Sequence, residues 1–470
     1  MKKFTNSLFI FRRDYRIYDN YGLNECCKNS SNVYPIFIFS PDQIDDKKNI
    51  YKSNNAVQFL VESIEDLQEQ IQDKNGILGV YYGQNIKVLK KIIKEKDIDA
   101  IYVCEDYTPY SIERDEQIKD FCLDNDIIFN SIEDIMLYPK NKVLSNDQKP
   151  YTTFTHYKNK AKELFNIPKP QNLKNNEYKF SKQRIITKHI IDKTKINSFY
   201  NKNNNIKVNG GRKLALDIFK NVVPKMKQYN KKRDIPSEGN TFLSAYIRFG
   251  CVSLRECYEC FIKELGKNND IIDQLYWFCF YTELGINFPD MYKERSLIDD
   301  LKNIKWSQNK THFEAWINGR TGYPLSDAGM REMNETGFMH NRVRMVSATL
   351  LSRILLLDWR LGEKYFSKML VDHLRSNNDG NWFWVVGTAP HSQVYFRIMS
   401  EESQIKRFDK ECTYIKKWIP ELKDVPPKDI LNWSTKYKNY DIDYPKPIVD
   451  YKTNRQESLN RYKESKKSFK

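Results

Sequence analysis

Polar residues interrupt an otherwise apolar pattern in the last third of this chain. Arg342 and Arg344 flank a single residue, Val343, inside an apolar helical pattern over residues 341–357. Further on, Asp372 and Asn378 precede two tryptophans in a segment with little apolar periodicity. Because buried charges and amides need hydrogen-bond partners, a bound polar cofactor would suit this stretch.

Three motifs in the same stretch resemble the flavin-binding core of the photolyase/cryptochrome family. They are MHNRVRM at 339–345, the NxxNW-type segment at 378–382 and YFRI at 395–398. The resemblance is strongest to class I cyclobutane pyrimidine dimer (CPD) photolyases, covers nearly the whole chain and is specific from Tyr229 onward. It implies a light-driven DNA repair enzyme with FAD as its cofactor.

The length and charge of the chain set limits on its domains and partners. Its 470 residues are enough for two or three domains. Lysine and arginine total 77 against 61 acidic residues, which gives a formal net charge of +16. This charge favours a nucleic-acid or other acidic partner, although a biased, Lys- and Asn-rich composition would produce it equally well.

The cysteines and the hydropathy pattern predict the compartment. Nine cysteines are scattered along the chain, and only Cys257 and Cys260 form a CxxC pair. With no second pair and no histidine at ligand spacing, a zinc site is not expected. The odd count, the lack of a signal peptide and the lack of a long apolar run predict a soluble intracellular protein, in the cytoplasm or nucleus. We expect a monomer without a membrane partner.

Short apolar runs alternate with helical patterns in the N-terminal third. The runs cover residues 8–11, 34–39, 77–82, 101–104 and 127–129. Strands that alternate with helices predict a parallel sheet, and continuous hydrophobicity fits strands buried on both faces. From Gly211 onward helical patterns dominate. We therefore predict an α/β domain with a parallel Rossmann-like sheet over residues 1–135, a linker over 136–205 and an all-α domain over 206–470. The family resemblance implies that the first is the antenna domain and the last the FAD-binding domain.

Two polar segments follow predicted strands in this third. The first, FRRDYRIYDN at 11–20, is either a solvated loop whose arginines pair with Asp14 and Asp19 or, by resemblance, the opening signature of the family. The second, EDYTPYSIERDE at 105–116, resembles the stretch with which some relatives contact a light-harvesting antenna pigment. The resemblance leaves open whether a pigment binds, and whether it is methenyltetrahydrofolate or a deazaflavin.

Polar residues around position 240 are the first candidates for cofactor binding. Asn240 is a predicted helix N-cap, and Thr241, Ser244 and Arg248 would then share one face of that helix. Hydroxyls and free N–H groups at a helix N-terminus suit a phosphate, although an ordinary capped helix has the same pattern. The family binds FAD through the equivalent stretch, whose residues here are Tyr229, Asn240, Thr241, Leu243 and Ser244.

A helical pattern at 273–284 places Gln274, Trp277 and Tyr281 on one face. An amide beside two large aromatic rings could receive a nucleic-acid base, although an aromatic stripe at helical spacing is more often part of a core. In the family this face lies in the cavity beside the flavin, with the tryptophan against the damaged base pair. Two residues depart from the family pattern, since Gln274 stands where class I CPD photolyases usually carry Glu and Phe278 replaces a customary Arg.

The resemblance also assigns roles to residues of the last third. It implies an ion pair between Arg344 and Asp372 beside the isoalloxazine ring, where a purely structural ion pair is the alternative. Asn378 would face flavin N5, and Leu374 replaces an Asp expected near the polar edge of the ring. The implied catalytic residues are Gln274, Trp277, Asn341, Met345 and Asn378. The resemblance also implies a set of cofactor-binding residues, which are Tyr229, Asn240, Thr241, Leu243, Ser244, Gln274, Asn341, Arg344, Asp372, Leu374 and Asn378.

Three of the eight tryptophans match the electron-transfer chain of the family. They are Trp306, Trp359 and Trp382, and closely spaced indoles would let a positive charge hop from the flavin to the surface. Without the resemblance, three tryptophans in a helical protein would be ordinary packing residues. The implied DNA-binding residues are Arg233, Trp277, Tyr281, Arg342, Trp384 and Arg397.

Together with these residues, the family resemblance implies that the protein splits cyclobutane pyrimidine dimers by electron transfer from excited, reduced FAD to a dimer flipped out of DNA. Asn341, Asn378 and the short C-terminal tail favour this function. A flavin-binding blue-light photoreceptor (cryptochrome) without repair is the alternative, and Gln274, Phe278 and Leu374 favour it. A (6-4) or single-strand-specific photolyase is a third alternative.

Overall fold

The computed structural model describes residues 2–293, 297–298, 301–393 and 397–467. The chain forms two compact units that do not follow chain order. The first, here called the sheet unit, comprises Met1–Asn203, Val208–Lys227 and Thr241–Asn287. The second, here called the helical unit, comprises Asn204–Lys207, Gln228–Asn240 and Phe288–Lys470. The domain boundaries near residues 135 and 205 stay a prediction.

Five parallel strands form one sheet in the order β3-β2-β1-β4-β5. Leu8 on the central strand pairs with Tyr34 on one side and with Ile101 on the other. The change of direction in the strand order lies between β1 and β4. The polar segments 11–20 and 105–116 begin directly after these two strands. The predicted α/β fold class with a parallel sheet is confirmed. The strands are β1 Phe4–Ile10, β2 Ser30–Phe39, β3 Gly79–Tyr82, β4 Ala100–Cys104 and β5 Ile128–Ile132.

Helices cover the sheet, which explains the continuous hydrophobicity of its strands. Leu8, Ile36 and Ile101 are fully or almost fully buried in one apolar cluster. The longest helix here begins after Ser53, whose hydroxyl accepts a hydrogen bond from the backbone N–H of Ala56 as an N-cap. These helices are α1 Tyr21–Asn29, α2 Pro41–Ile44, α3 Asn54–Gln72, α4 Asn85–Glu95 and α5 Pro109–Leu123.

The helices that follow the sheet along the chain belong mostly to the sheet unit. Within the predicted linker, the aromatic and basic residues 151–160 are largely helical, since α6 begins at Phe154. Only α9 among these helices lies in the helical unit. They are α6 Phe154–Leu164, α7 Lys193–Asn197, α8 Arg212–Asn221, α9 Tyr229–Lys232, α10 Ser244–Arg248, α11 Leu254–Leu265 and α12 Ile271–Asn287.

The helical unit contains the apolar pattern predicted as a helix over residues 341–357. The α-helix there ends at Thr349 and continues as a wider π-helical turn over Leu350–Ile354. Leu356 then has φ +58°, a left-handed backbone that ends the helix. None of the helices in the described ranges is both long and apolar enough to cross a membrane. The remaining helices are α13 Lys310–Ile317, α14 Pro324–Thr336, α15 Asn341–Thr349, α16 Trp359–Met369, α17 Arg375–Val386, α18 Glu401–Phe408, α19 Thr413–Trp418, α20 Pro427–Leu431, α21 Trp433–Lys436 and α22 Tyr451–Lys467.

Candidate active site

An ion pair in the helical unit connects α15 to the segment before α17. Arg344 Nη2 lies 2.9 Å from Asp372 Oδ2, and Arg344 Nε donates to the carbonyl oxygen of Met339 at 2.7 Å. The side chains of Arg344 and Asp372 are 25% and 9% exposed. Because a mostly buried charge needs a partner, the two contacts orient the guanidinium group. The ion pair implied by the family resemblance is present.

Asn378 on α17 is oriented by a buried carboxyl group on α16. Its side-chain N–H donates to Glu363 Oε1 at 2.9 Å. Since an ionised carboxylate only accepts hydrogen bonds, Nδ2 of Asn378 must face Glu363, and the carbonyl Oδ1 is directed elsewhere. Asn378 is half-buried. Its carbonyl oxygen is therefore available to an N–H group at the edge of a bound ring.

The first turn of α15 carries two polar side chains with different surroundings. Asn341 is exposed, and its Nδ2 lies 3.8 Å from the Sδ of Met345 one turn later. Arg342 instead donates to Asp234 Oδ1 at 2.6 Å, and its guanidinium lies 4.7 Å from the ring centroid of Phe408. A phosphate bound by Arg342 would have to compete with the Asp234 carboxylate.

Two of the three tryptophans of the predicted electron-transfer chain are buried in the helical unit. Trp382 on α17 contacts Phe366 edge-on, with ring centroids 5.2 Å apart. Trp359 opens α16, and its ring lies 5.0 Å from that of Phe383, the residue after Trp382. The close approach of α16 to α17 depends on Gly362, because a Cβ there would lie 2.4 Å from the Trp382 ring. Trp359 and Trp382 are therefore held within one packed aromatic cluster.

The third tryptophan, Trp306, is half-buried. The next residue, Ser307, forms an isolated parallel bridge with Leu357, two residues before Trp359. The backbone N–H of Ser307 donates to the carbonyl oxygen of Leu356 at 2.7 Å. This pairing brings the Trp306 segment alongside the segment that leads to Trp359, and the exposure increases from Trp382 to Trp306.

In the sheet unit, α12 carries the predicted base-binding face. Gln274 is exposed, Trp277 is half-buried and Tyr281 is buried. The Trp277 ring stacks on Phe154 of α6, with centroids 3.6 Å apart and planes 7° apart. Tyr281 lies 5.6 Å from the Trp277 ring. Tyr281 is thus packed as a core residue, whereas Gln274 and part of Trp277 reach the surface.

The predicted N-capped helix at Asn240 is wrong. The helix in this stretch is the five-residue α10, Ser244–Arg248, and it has no side-chain N-cap bond. The reason is local, because Phe242 has φ +60° and the chain turns there before the helix begins. Thr241 Oγ1 accepts from the N–H of Leu243 at 3.4 Å within this turn. The phosphate argument from a long helix N-terminus therefore does not apply.

The other predicted residues occupy varied surroundings. The part of the YFRI motif at residues 395–396 lies outside the described residues, whereas Arg397 lies within them. The half-buried residues are Tyr229, Leu374 and Trp384, and the exposed residues are Arg233 and Arg397.

Two residues that shape these sites were missed by the sequence reasoning. Glu363 orients Asn378, and Phe154 supports the Trp277 ring. In the sequence, Glu363 is an acidic residue within the amphipathic pattern of α16, and Phe154 is an aromatic residue in the predicted linker. These were the only signals that could have pointed to the two residues. Neither signal identifies the partner, because both contacts join separate helices.

A second polar site lies in the sheet unit at the carboxyl ends of β1, β4 and β5. It is a crevice whose lining includes the charged side chains of Arg12, Arg13, Asp106 and Asp134. Arg12 pairs with Asp115 at 2.6 Å and Arg13 with Asp106 at 2.7 Å. The solvated-loop interpretation of the 11–20 segment is wrong, because the acids that pair with these arginines come from the 105–116 segment. Ligands of parallel α/β sheets bind at this edge, where the strand order changes direction.

Arg12, which lines this crevice, and Arg114, which shares Asp115 with it, have unused hydrogen-bonding capacity. Arg12 Nη2 and Arg114 Nη2 are buried and have no hydrogen-bond partner among the described residues. Burial, followed by the charge of Arg114, lowers the pKa of Arg12 to about 10. A buried donor that carries positive charge suits an anionic group.

Comparison with known proteins identifies the family. The family model for DNA photolyase matches residues 7–174, and the model for the FAD binding domain of DNA photolyase matches residues 271–464. A deoxyribodipyrimidine photo-lyase from Buchnera aphidicola subsp. Acyrthosiphon pisum is 32% identical, over 98% of this chain and 97% of its own length. This chain belongs to the DNA photolyase family.

Solved structures agree with this assignment over the whole chain. The archaeal photolyase from Sulfolobus tokodaii, solved with two FAD molecules, has a TM-score of 0.86 at 35% identity and covers 98% of this chain and 100% of its own. A class III photolyase from Agrobacterium tumefaciens has a TM-score of 0.89 at 25% identity, with 99% of both chains covered.

The predicted family, photolyase enzyme class and FAD cofactor are confirmed by these matches. The residues of the helical unit fit such a cofactor. Arg344 and Asp372 provide a partly exposed ion pair, and Asn378 provides a carbonyl acceptor for a ring N–H. Buried aromatic side chains lie behind Asn378 on the same helix.

Proposed function

We propose that the protein uses light to split cyclobutane pyrimidine dimers in DNA. The observation that carries this proposal is the arrangement on α17 and its neighbours, where the Arg344–Asp372 ion pair and the Asn378–Glu363 hydrogen bond accompany the buried Trp382. Its relative from Buchnera aphidicola is named a deoxyribodipyrimidine photo-lyase. Bound FAD, when reduced and excited by light, would supply the one-electron chemistry that opens the dimer ring, with the electron returned at the end of the cycle.

The protein side of this chemistry is orientation and electrostatics. Asn378 offers its carbonyl oxygen to the N5 edge of the ring, because its N–H is held by Glu363. Arg344 places a positive charge near a cofactor that is anionic when reduced, and Asp372 fixes the position of that guanidinium. Tyr229, Asn240, Thr241, Leu243 and Ser244 are proposed to contact the rest of the cofactor.

Lesion recognition is assigned to polar and aromatic side chains that reach the surface. Trp277 offers a ring for stacking, and exposed Gln274 offers an amide for a pyrimidine edge. Exposed Asn341 offers a second amide, and Met345 an adaptable apolar contact. DNA phosphates are assigned to Arg233, Arg342 and Arg397, which position the strand without reading its sequence.

The function is tested with FAD-loaded, chemically reduced protein and an oligonucleotide that contains one thymine dimer. Under near-ultraviolet light, the restored thymines should be measurable by chromatography, and no repair should occur in the dark. Single-stranded and double-stranded substrates, and a (6-4) lesion in a parallel reaction, identify the preferred lesion. Loss of repair on all of them with FAD bound would contradict the proposal and support a photoreceptor, which Gln274, Phe278 and Leu374 favour.

Replacing Trp277 with Ala should weaken binding of dimer-containing DNA. Base stacking on one aromatic ring contributes on the order of 1 kcal/mol or more, which corresponds to about a fivefold or greater loss of affinity. The measurement is a fluorescence-anisotropy titration with lesion and undamaged DNA. Trp418→Ala is the matched control, because Trp418 is also half-buried and lies outside the predicted site. Equal losses in both variants would contradict a specific role for Trp277.

We further propose that the crevice of the sheet unit binds an antenna pigment through an anionic group. Arg12 lines this crevice and shares Asp115 with Arg114, and each arginine has a buried nitrogen without a partner among the described residues, which suits a phosphate or carboxylate. The Sulfolobus tokodaii photolyase holds two FAD molecules, described as implying a novel light-harvesting cofactor. An absorption spectrum of the purified protein shows whether methenyltetrahydrofolate, a deazaflavin or a second FAD accompanies the first.

A further inference from the structure

Two buried carboxyl groups face each other next to Asn378. Glu363 on α16 and Asp379 on α17 are each only 1% exposed. Carboxylate oxygens of both residues and a ring nitrogen of His373 all lie within 4.8 Å of one another. Nothing in the predicted flavin chemistry uses Asp379, so its burial requires a separate explanation.

Each of the two carboxyl groups has one oxygen with a partner and one without. Glu363 Oε1 accepts from Asn378 Nδ2 at 2.9 Å, and Asp379 Oδ2 lies 3.3 Å from Arg375 Nε. Glu363 Oε2 and Asp379 Oδ1 are buried without a hydrogen-bond partner among the described residues. Two ionised carboxylates this close would repel each other because both are negative. Since each can only accept hydrogen bonds, neither could satisfy the other's unpartnered oxygen.

We propose that Glu363 and Asp379 hold one proton between them, carried by Asp379 and donated to Glu363. One proton satisfies both oxygens that lack partners and lowers the charge of the pair from −2 to −1. Arg375, which contacts Asp379, then balances the remaining charge. Glu363 stays an acceptor, which preserves its hydrogen bond from Asn378.

The surroundings support a proton on Asp379. Burial, followed by the charge of Glu363, raises the pKa of Asp379 well above its ordinary value, and Arg375 opposes this increase. His373 Nε2 lies 3.8 Å from Glu363 Oε1. Other ionisable groups on neighbouring elements include His391, whose ring nitrogen lies 3.0 Å from the Gly380 carbonyl oxygen, and Arg353, which donates to the Val386 carbonyl oxygen of α17 at 2.9 Å. The neighbouring elements and α16 itself also carry Arg342 and Arg344 on α15, Asp290, Tyr292 and Lys293 on the turn Pro289–Lys293, and Arg360, Lys364, Tyr365 and Lys368 on α16.

The pair is a positioning group for Asn378. Because Glu363 fixes the Asn378 amide, the charge state of the pair determines how firmly that amide is held and how much negative charge lies behind it. This consequence for the cofactor rests on the proposed function, in which Asn378 faces the flavin. The shared proton itself rests only on Glu363, Asp379 and their contacts, so the two ideas can fail separately.

Infrared spectroscopy of the FAD-loaded protein tests the shared proton directly. At neutral pH, wild type should show a protonated carboxyl C=O band that shifts in heavy water and is lost in Asp379→Asn. Burial also raises the pKa of Glu401 to about 8, so Glu401 should supply a second band that Asp379→Asn leaves unchanged. An identical band pattern in wild type and Asp379→Asn would overturn the proposal, whether or not the protein repairs DNA.

Thermal unfolding as a function of pH gives an independent measurement. A raised pKa in the folded state stabilises the fold below the ordinary Asp pKa of about 4, and this stabilisation is lost as pH rises through the folded-state value. The Tm of wild type should therefore fall relative to that of Asp379→Asn as pH rises. Asp443→Asn is the control, since Asp443 is 86% exposed and its pKa is lowered by Arg320, so it should not show this trend.

Metal analysis separates a proton from a bound cation, which could also lie between two carboxyl groups. Purified wild type should contain no stoichiometric divalent metal, and added Mg²⁺, Mn²⁺ or Zn²⁺ should not raise its Tm more than that of Asp379→Asn. One equivalent of metal that is lost in Asp379→Asn, together with no protonated carboxyl band, would overturn the shared proton.

Discussion

Replacing Trp382 with Phe should abolish the photoreduction of oxidised FAD while leaving dimer repair by pre-reduced protein close to wild type. Trp382 is buried on α17, and Phe383 beside it contacts the Trp359 ring at 5.0 Å. Phenylalanine keeps the aromatic packing, but it is much harder to oxidise than indole. The measurement is the decay of oxidised flavin absorbance under blue light with an external reductant, followed by a repair assay after chemical reduction.

Trp316→Phe is the control for the Trp382 experiment. Trp316 is also a fully buried tryptophan in the helical unit, and its ring stacks on Phe366, which in turn contacts Trp382. It lies outside the predicted electron-transfer chain, so Trp316→Phe should keep photoreduction. Photoreduction at the wild-type rate in Trp382→Phe, or an equal loss in Trp316→Phe, would contradict the assignment of the chain.

Replacing Arg344 with Ala should weaken FAD binding by about 3 kcal/mol, roughly 100-fold in Kd. The substitution leaves the mostly buried Asp372 carboxylate without the guanidinium group 2.9 Å away, and it also removes the hydrogen bond to Met339. Uncompensated charge is costly where solvent is scarce, so the segment before α17 should lose the geometry that is proposed to hold the ring. Flavin fluorescence titration of the stripped protein measures the affinity.

Arg320→Ala is the matched control for the Arg344 experiment. Its ion pair with Asp443 has a similar length of 2.8 Å, but both side chains are exposed. Surface ion pairs contribute little because water screens them, so FAD affinity should be unchanged. An Arg344→Ala variant that binds FAD as tightly as Arg320→Ala would show that the Arg344–Asp372 ion pair is only structural.

The fold could be predicted from the sequence wherever a local pattern determines it. Continuous apolar runs such as residues 34–39 and 101–104 predicted strands buried on both faces, and β2 and β4 cover those runs. Burial on two faces requires apolar side chains at every position, so the pattern is present within each strand. The same locality explains the wrong N-cap at Asn240, because the left-handed backbone of Phe242 leaves no signal in residue type.

Residue types and the family resemblance also singled out much of the proposed site, including Arg344, Asp372, Asn378 and Trp382, and their functional roles stay predictions. Only the tertiary structure determined which side chains of different helices contact each other. Packing of α16 on α17 brings Glu363 to Asn378 and Asp379, and packing of α6 on α12 brings Phe154 to Trp277. Hydrophobic periodicity reports which face of a helix is buried, but it contains no information on which helix covers that face. The residues that support the site therefore became visible only once the helices were packed.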